Sequence, residues 1–360
     1  MKAYALDICP TKTCGLSNQL YSIVAGMQHC MRNNIHVMFI NKFLRSINSN
    51  NYSNISDIID LNKFNNFASK YNVFIVDYNN FKFTIEEAIL SSRESGMPIF
   101  SSNDIKDEIL TKYYKNNNLN IPINSKFYLN DINSKPTSLT IKYNLNNGFF
   151  YEQYKMNDNK LMQDINLSFQ NLNFEGNFSY VQGEIFFDIL RNIPFNENII
   201  NNSNIIANNL IPKNSTNVFN AIHLRIEDDV IAHFYAKCNL SKSLLKTIVE
   251  TKYINIIKQY FNKNDTIILL TYDMNNDVIN YLKTNNYKFI INCQKDKDRE
   301  ISAINDMLLG EYCNNYYVCV WESSFSFALL SRINKKLNVK SIQIRYEDLY
   351  AEPESITLLF

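Results

Sequence analysis

Short continuous apolar runs alternate along this chain with stretches in which apolar residues return every three or four positions. The run at residues 3–9 reads as a strand that enters a polar turn at 10–14. A helix is expected to begin at Ser17 or Asn18, with Leu20, Ile23, Val24 and Met27 on one face. Residues 35–40 are again apolar and of strand length, so strand, Gly-containing loop, helix and strand make a βαβ unit. The pattern then predicts a helix over 55–70, a strand over 72–77 and a helix over 81–90. Residues 101–148 are polar and rich in Asn, with a strand at 138–143, and residues 149–176 have mixed character. Helices are expected at 186–193 and 195–210, separated by Pro194.

The second half is more regular. Strands are expected from Val218 and at 266–271, 288–292, 316–321 and 341–344, with helices at 244–260, 276–284, 300–313 and 325–333. Strands alternating with helices imply parallel sheets in an α/β fold, here two Rossmann-like lobes divided near residue 190 into 1–190 and 191–360. Two such lobes imply a cleft between them.

Composition narrows the function classes. With 46% hydrophobic and 13% aromatic residues, the 360-residue chain is a folded protein with room for two domains. Lys and Arg number 36 against 35 Asp and Glu, a net charge of +1, so no broad field exists to hold a nucleic-acid backbone and any anion must be met locally. Seven cysteines, scattered without Cys-x-x-Cys spacing, argue against a disulfide framework or a zinc site and for a reducing, cytoplasmic setting. Residues 1–10 lack the apolar core of a signal peptide, and no uncharged apolar run reaches the ~18 residues of a spanning helix. Asn, roughly one residue in six, is read as a compositional bias that carries little chemistry.

Chemistry concentrates where strands stop. The run from Val218 ends in His223, Arg225, Glu227, Asp228 and Asp229, and two readings are open: a solvated charged turn, or a site beyond the carboxyl end of a strand. Residues 271–277, containing Asp273, and residues 322–326, with Ser323, Ser324, Phe325 and Ser326, occupy equivalent strand ends. Three hydroxyls at a helix start suit an anion; a plain Ser cap accounts for only one of them. The loop at Gly15 likewise feeds a helix start. Asp273 has a second reading as a helix cap.

Three of these segments resemble motifs of the fucosyltransferase superfamily, which holds the α1,2- and α1,6-fucosyltransferases and protein O-fucosyltransferases. Gly15-Leu16-Ser17-Asn18-Gln19 is similar to its opening Gly-x-x-Asn-Gln segment, His223-Leu224-Arg225 to its His-x-Arg motif, and Ser323-Ser324-Phe325-Ser326 to its late Ser-x-Phe-Ser signature, in the same order. Residues 300–306 resemble the helix before that signature, whereas 101–176 match nothing in it. The resemblance implies a GT-B fold and inverting, metal-independent transfer from GDP-fucose to a glycan or protein hydroxyl, with no cofactor beyond the nucleotide-sugar donor.

By the same resemblance, Arg225 stabilises the leaving diphosphate and His223 contacts the donor. Asp273 accepts from the purine, Ser324, Ser326 and Phe325, with Ser323, hold the diphosphate, and Gly15 and Asn18 approach the sugar or phosphate. Glu227, Asp228 and His233 are candidates for a general base, while Asp229 is read as structural. Ile226 and the Glu-Asp-Asp run depart from the family's commoner forms. A rhamnose-type donor on the same scaffold, or a nucleotide- or glycan-binding pseudoenzyme, are the alternatives. A P-loop hydrolase is disfavoured, since no Gly-x-x-x-x-Gly-Lys-Ser/Thr segment occurs.

Overall fold

The computed structural model describes residues 3–92, 101–116, 118–130, 135–146, 148–169, 172–176, 179–211, 218–226, 241–292, 298–320, 323–333, 339–344 and 357–359. The chain separates into two compact units that interleave in sequence. The first comprises Met1–Asp7, Gly26–Lys42 and Asn65–Asn177, and the second Ile8–Ala25, Phe43–Phe64 and Phe178–Phe360. The pattern places one cut near residue 190; the contacts instead assign two early segments, 8–25 and 43–64, to the second unit.

The second unit is built on a six-stranded sheet. Its spatial order is Lys288–Ile291, Thr266–Leu270, Phe219–His223, Tyr316–Val320, Lys340–Ile344 and Thr357–Leu359. All neighbours pair in parallel except the last, which runs antiparallel. Numbered along the chain, that order is 3-2-1-4-5-6, the doubly wound arrangement, and its direction reverses between Phe219–His223 and Tyr316–Val320. The central strands are buried on both faces, which is why they read as continuous apolar runs without alternation. Ile222, Ile267, Leu269, Val318 and Ile342 pack there with Leu245, Val249 and Ile257 of the helix Lys242–Tyr260. Each fully buried Leu or Ile contributes about 1.5–3 kcal/mol of transfer free energy before entropy is counted.

Two helices of this sheet, Lys242–Tyr260 and Asp277–Thr284, start at side-chain caps. Ser241 accepts from Leu244 N–H at 3.2 Å, and Asn276 accepts from Ile279 N–H at 2.9 Å. The helix Arg299–Gly310 ends at a glycine for a packing reason. A Cβ on Gly310 would stand 2.6 Å from Leu329 Cδ2 and 3.0 Å from Leu270 Cδ1.

The first unit holds the expected βαβ elements, Ala3–Asp7, Leu16–Asn33 and Val37–Ile40, although the first half of that helix belongs to the second unit. Its parallel sheet is small: Glu175–Gly176, Ala3–Asp7, Val37–Ile40 and Phe74–Asp77. Most of the unit is antiparallel. A five-stranded sheet runs in the order Lys160–Leu161, Gly148–Asn157, Ser138–Leu145, Phe83–Ser92 and Ser101–Asp104, beside a three-stranded one. This lobe is therefore Rossmann-like only at its parallel core.

The helix expected over 81–90 is instead the strand Phe83–Ser92. Opposite Lys142 and Tyr143 its register skips Glu86, a β-bulge, so the inward residues fall at Phe83, Ile85, Ala88 and Leu90. That spacing breaks the period of two and imitates a helical face. The helix expected over 55–70 is divided into Ile55–Ile58, Leu61–Ala68 and a 3-10 turn at Ser69–Tyr71, because Ile59 adopts extended backbone and bridges to Phe195.

Asn proves to carry structure. Among the described residues nine non-glycine residues have positive φ, namely Asn34, Asn48, Asn72, Asn116, Asn124, Asn146, Asp158, Asn159 and Asn286, and all but Asp158 are Asn. The chain has only 7 Gly, and Asn is among the few other residues that tolerate the left-handed region. At Asp158–Asn159 both central residues of a two-residue hairpin have positive φ, 47° and 64°, as a type I′ turn requires. No described helix is long and apolar enough to cross a membrane.

Candidate functional site

A cavity of about 330 Å³ lies at the carboxyl edge of the six-stranded sheet, and its lining residues all belong to the second unit. It opens at the point where the strand order reverses, the position at which doubly wound sheets bind ligands. Three strand ends contribute: His223 and Arg225 after the first strand, Leu270, Thr271 and Tyr272 after the second, and Ser323, Ser324 and Phe325 after the fourth. Thr13, Gly15, Leu16, Ser17, Asn18 and Ile47 line it as well, with Arg299, Glu300, Ser302, Ala303 and Asp306 from one helix.

The strand end is fixed from behind by Tyr253. Its hydroxyl donates to His223 O at 2.9 Å and accepts from Arg225 N–H at 3.2 Å, so one buried side chain sets the backbone that presents both residues. Leu224 N–H donates to Leu270 O at 3.0 Å, continuing the sheet bonding past the strand. His223 itself is 7% exposed, and its Nδ1 lies 2.7 Å from Ser326 Oγ. Its ring lies 4.8 Å from that of Phe325. Burial, and secondarily the Arg225 charge, push its pKa down to about 3, so the imidazole is neutral at physiological pH.

The serine loop has divided labour. Ser323 Oγ accepts from Ser326 N–H at 3.4 Å as the cap of the helix Ser324–Ile333. Ser324 faces the cavity, and its carbonyl accepts from Tyr21 OH at 3.3 Å. Ser326 is 1% exposed and does not line the cavity; its Oγ accepts from Val320 N–H at 3.0 Å. The first loop is similarly split. Asn18 lines the cavity, whereas Gln19 is fully buried, bonding Leu44 O at 2.9 Å, Leu44 N–H at 2.8 Å and Cys14 O at 3.2 Å, and so pins the loop.

Glu300 was not among the residues that the motifs single out as site residues. Its carboxylate, 3% exposed, accepts from Leu16 N–H at the start of the helix Leu16–Asn33 and thus takes up one of the donors there. Burial raises its pKa above the ordinary 4.5, with the Leu16 bond and Arg299 acting in the opposite direction. Arg299 adds a second guanidinium to the cavity, and Asp306 accepts from Asn292 Nδ2 at 2.9 Å. In the sequence Arg299, Ser302, Ala303 and Asp306 recur at i, i+3, i+4 and i+7 as one polar helical face, a pattern that a solvated face shares, and Glu300 stands outside it.

Of the expected site residues, the cavity therefore gathers Gly15, Asn18, His223, Arg225, Ser323, Ser324 and Phe325. Asp273 does not line it: its carboxylate pairs with Lys246 at 3.0 Å and accepts from Asn275 N–H at 2.9 Å. Glu227, Asp228, Asp229 and His233 lie outside the described residues. Among the described residues no group of three or more His, Cys, Asp or Glu forms a metal-binding cluster. Two guanidinium groups, serine hydroxyls and a neutral imidazole make a local site for an anion.

The chain has a GT-B fold similar to that of solved fucosyltransferases. Among solved structures, POFUT1 in complex with GDP matches over 96% of this chain and 98% of its own, at 9% identity and a TM-score of 0.50. The fucosyltransferase NodZ from Bradyrhizobium matches over 50% of this chain and 53% of its own, at 15% identity and a TM-score of 0.33. NodZ α-1,6-fucosyltransferase soaked with GDP-fucose matches over 49% and 52%, at 16% identity and a TM-score of 0.31. The chain thus spans about half the length of the NodZ chains it matches. No protein-family profile and no curated protein matches it.

Proposed function

We propose that this protein is an inverting, metal-independent glycosyltransferase that moves fucose from GDP-fucose to a hydroxyl of a glycan or protein. The observation that carries the reading is the convergence of Arg225, His223 and the Ser323–Phe325 loop on one cavity at the switch point of a doubly wound sheet. The likeness to POFUT1 is one of fold, and it supports the choice of a GDP-linked donor because that structure holds GDP.

In the proposed reaction the acceptor oxygen attacks the anomeric carbon of the donor as the bond to the diphosphate breaks. Negative charge builds on the leaving phosphate. Arg225 is the group that meets it, since a planar guanidinium can donate bidentately to phosphate oxygens. Arg299 adds to the same field, and Ser323 and Ser324 hold the diphosphate at the helix start. Asn18 bonds the sugar or phosphate, and Asp273, once released from Lys246, accepts from the purine. For the acceptor's proton the chain offers Glu227, Asp228 and His233, all within eight residues after Arg225.

The test is kinetic. Arg225→Ala is expected to lower kcat for transfer from GDP-fucose on the order of 10²- to 10³-fold. Arg225→Lys restores only part of this, because the planar fork is lost. Turnover close to that of the unaltered enzyme in Arg225→Ala would remove Arg225 from the mechanism.

A further inference from the structure

The hydroxyl of Ser326 has few partners and must use them in a definite sense. It is 1% exposed, and Val320 N–H donates to its oxygen at 3.0 Å. A hydroxyl also carries one proton of its own, and in a buried place that proton needs an acceptor. Among the described residues the acceptor within reach is His223 Nδ1, at 2.7 Å. If Nδ1 instead carried the ring proton, the serine oxygen would face two N–H donors and its own proton would have no acceptor among these residues.

We infer that Ser326 is a positioning residue that holds His223 in the Nε2–H tautomer, so that the ring presents the cavity with a fixed neutral donor for an acceptor-only oxygen such as that of a diphosphate. The ligand part of this rests on the nucleotide-sugar reading; the tautomer does not. A 180° turn of the ring about Cβ–Cγ would put Cδ2 where Nδ1 stands and lose the Ser326 bond. Burial and Arg225 also oppose a second proton. The other charged groups that line the cavity are Arg299, Glu300 and Asp306. A donor fixed in this way rewards phosphoryl oxygens and cannot take a proton from an acceptor hydroxyl, so base chemistry lies elsewhere.

The whole protein labelled with ¹⁵N-histidine tests this without any substitution. His223 should show a pyridine-type Nδ1 and a pyrrole-type Nε2 resonance, unchanged between about pH 5 and about pH 8. A proton on Nδ1, or signals averaged between tautomers, overturns the inference. Added GDP should move the Nε2–H resonance and leave Nδ1 in place; bound GDP that leaves Nε2–H unmoved overturns the donor role. If calorimetry detects no GDP binding, the failure lies with the nucleotide reading, and the pattern in the free protein still decides the role of Ser326.

Ser326→Ala should weaken GDP binding about tenfold and average the tautomers, whereas Ser326→Thr, which keeps the hydroxyl, should preserve the pattern. A Ser326→Ala protein with the unaltered His223 pattern contradicts the inference. Should that variant fail to fold, the spectrum of the unaltered protein is decisive.

Discussion

The six-stranded sheet of the second unit and the five-stranded sheet of the first are similar in extent but connected differently. In the second unit the first five strands are parallel, so each ends at the same edge, and a helix follows each of the first four in the chain. Polar residues after three different strands therefore meet. In the five-stranded sheet of the first unit every neighbouring pair is antiparallel, and Gly148–Asn157 returns to Lys160–Leu161 through the tight turn at Asp158–Asn159, so paired strands end at opposite edges. Connectivity more than composition decides where chemistry accumulates. Asn serves both units, supplying left-handed residues at Asn146 and Asn159 in the first and at Asn48 and Asn286 in the second, where it also caps helices at Asn196 and Asn276.

The contrast can be broken by substitution in each unit. The largest effect belongs to Arg225→Ala, the loss of turnover given above. Its counterpart is Tyr143→Leu in the antiparallel sheet. Tyr143 is fully buried, stacks on Phe150 at 5.5 Å and meets Phe83 edge-on at 5.6 Å. Its loss should cost about 1–3 kcal/mol in urea unfolding, with the GDP affinity of the folded protein unchanged. A matching loss of nucleotide affinity would show that the antiparallel unit shapes the site.

A smaller and finer test uses Glu300. Because its pKa is raised in the folded state, the folded protein holds its proton more tightly than the unfolded chain does. This contribution to stability is present below the ordinary value of 4.5 and is lost as pH rises through the folded value. Glu300→Gln, which keeps the shape without the charge, should flatten the decline in denaturation free energy on going from acid towards neutral pH. An unchanged slope would mean that Glu300 does not titrate as its burial requires.

The two units also differed in legibility. The parallel strands at 219–223, 266–270, 288–291, 316–320 and 340–344 were readable as short apolar runs alternating with helices, most clearly the three central ones, which are buried on both faces. In the antiparallel unit the strand Ser138–Leu145 was readable, whereas Phe83–Ser92 was not, because Glu86 bulges out of it and shifts its inward spacing. In the site, Gly15, Asn18, His223, Arg225 and the serine loop could be named from short motifs. Arg299 and Glu300 could not, since a polar stripe on a helix looks the same whether it faces solvent or a cavity. Burial was likewise invisible: Ser326 and Ser324 are neighbours in one motif, yet one supports His223 from behind and the other faces the cavity.

The central claim is that the cavity of the second unit receives a guanosine diphosphate sugar. A crystal structure with GDP tests it most directly. The account predicts the diphosphate within hydrogen-bond distance of Arg225, His223 Nε2 and the Ser323–Ser324 loop. GDP bound away from these residues, or no GDP at concentrations that saturate a nucleotide-sugar enzyme, would contradict it.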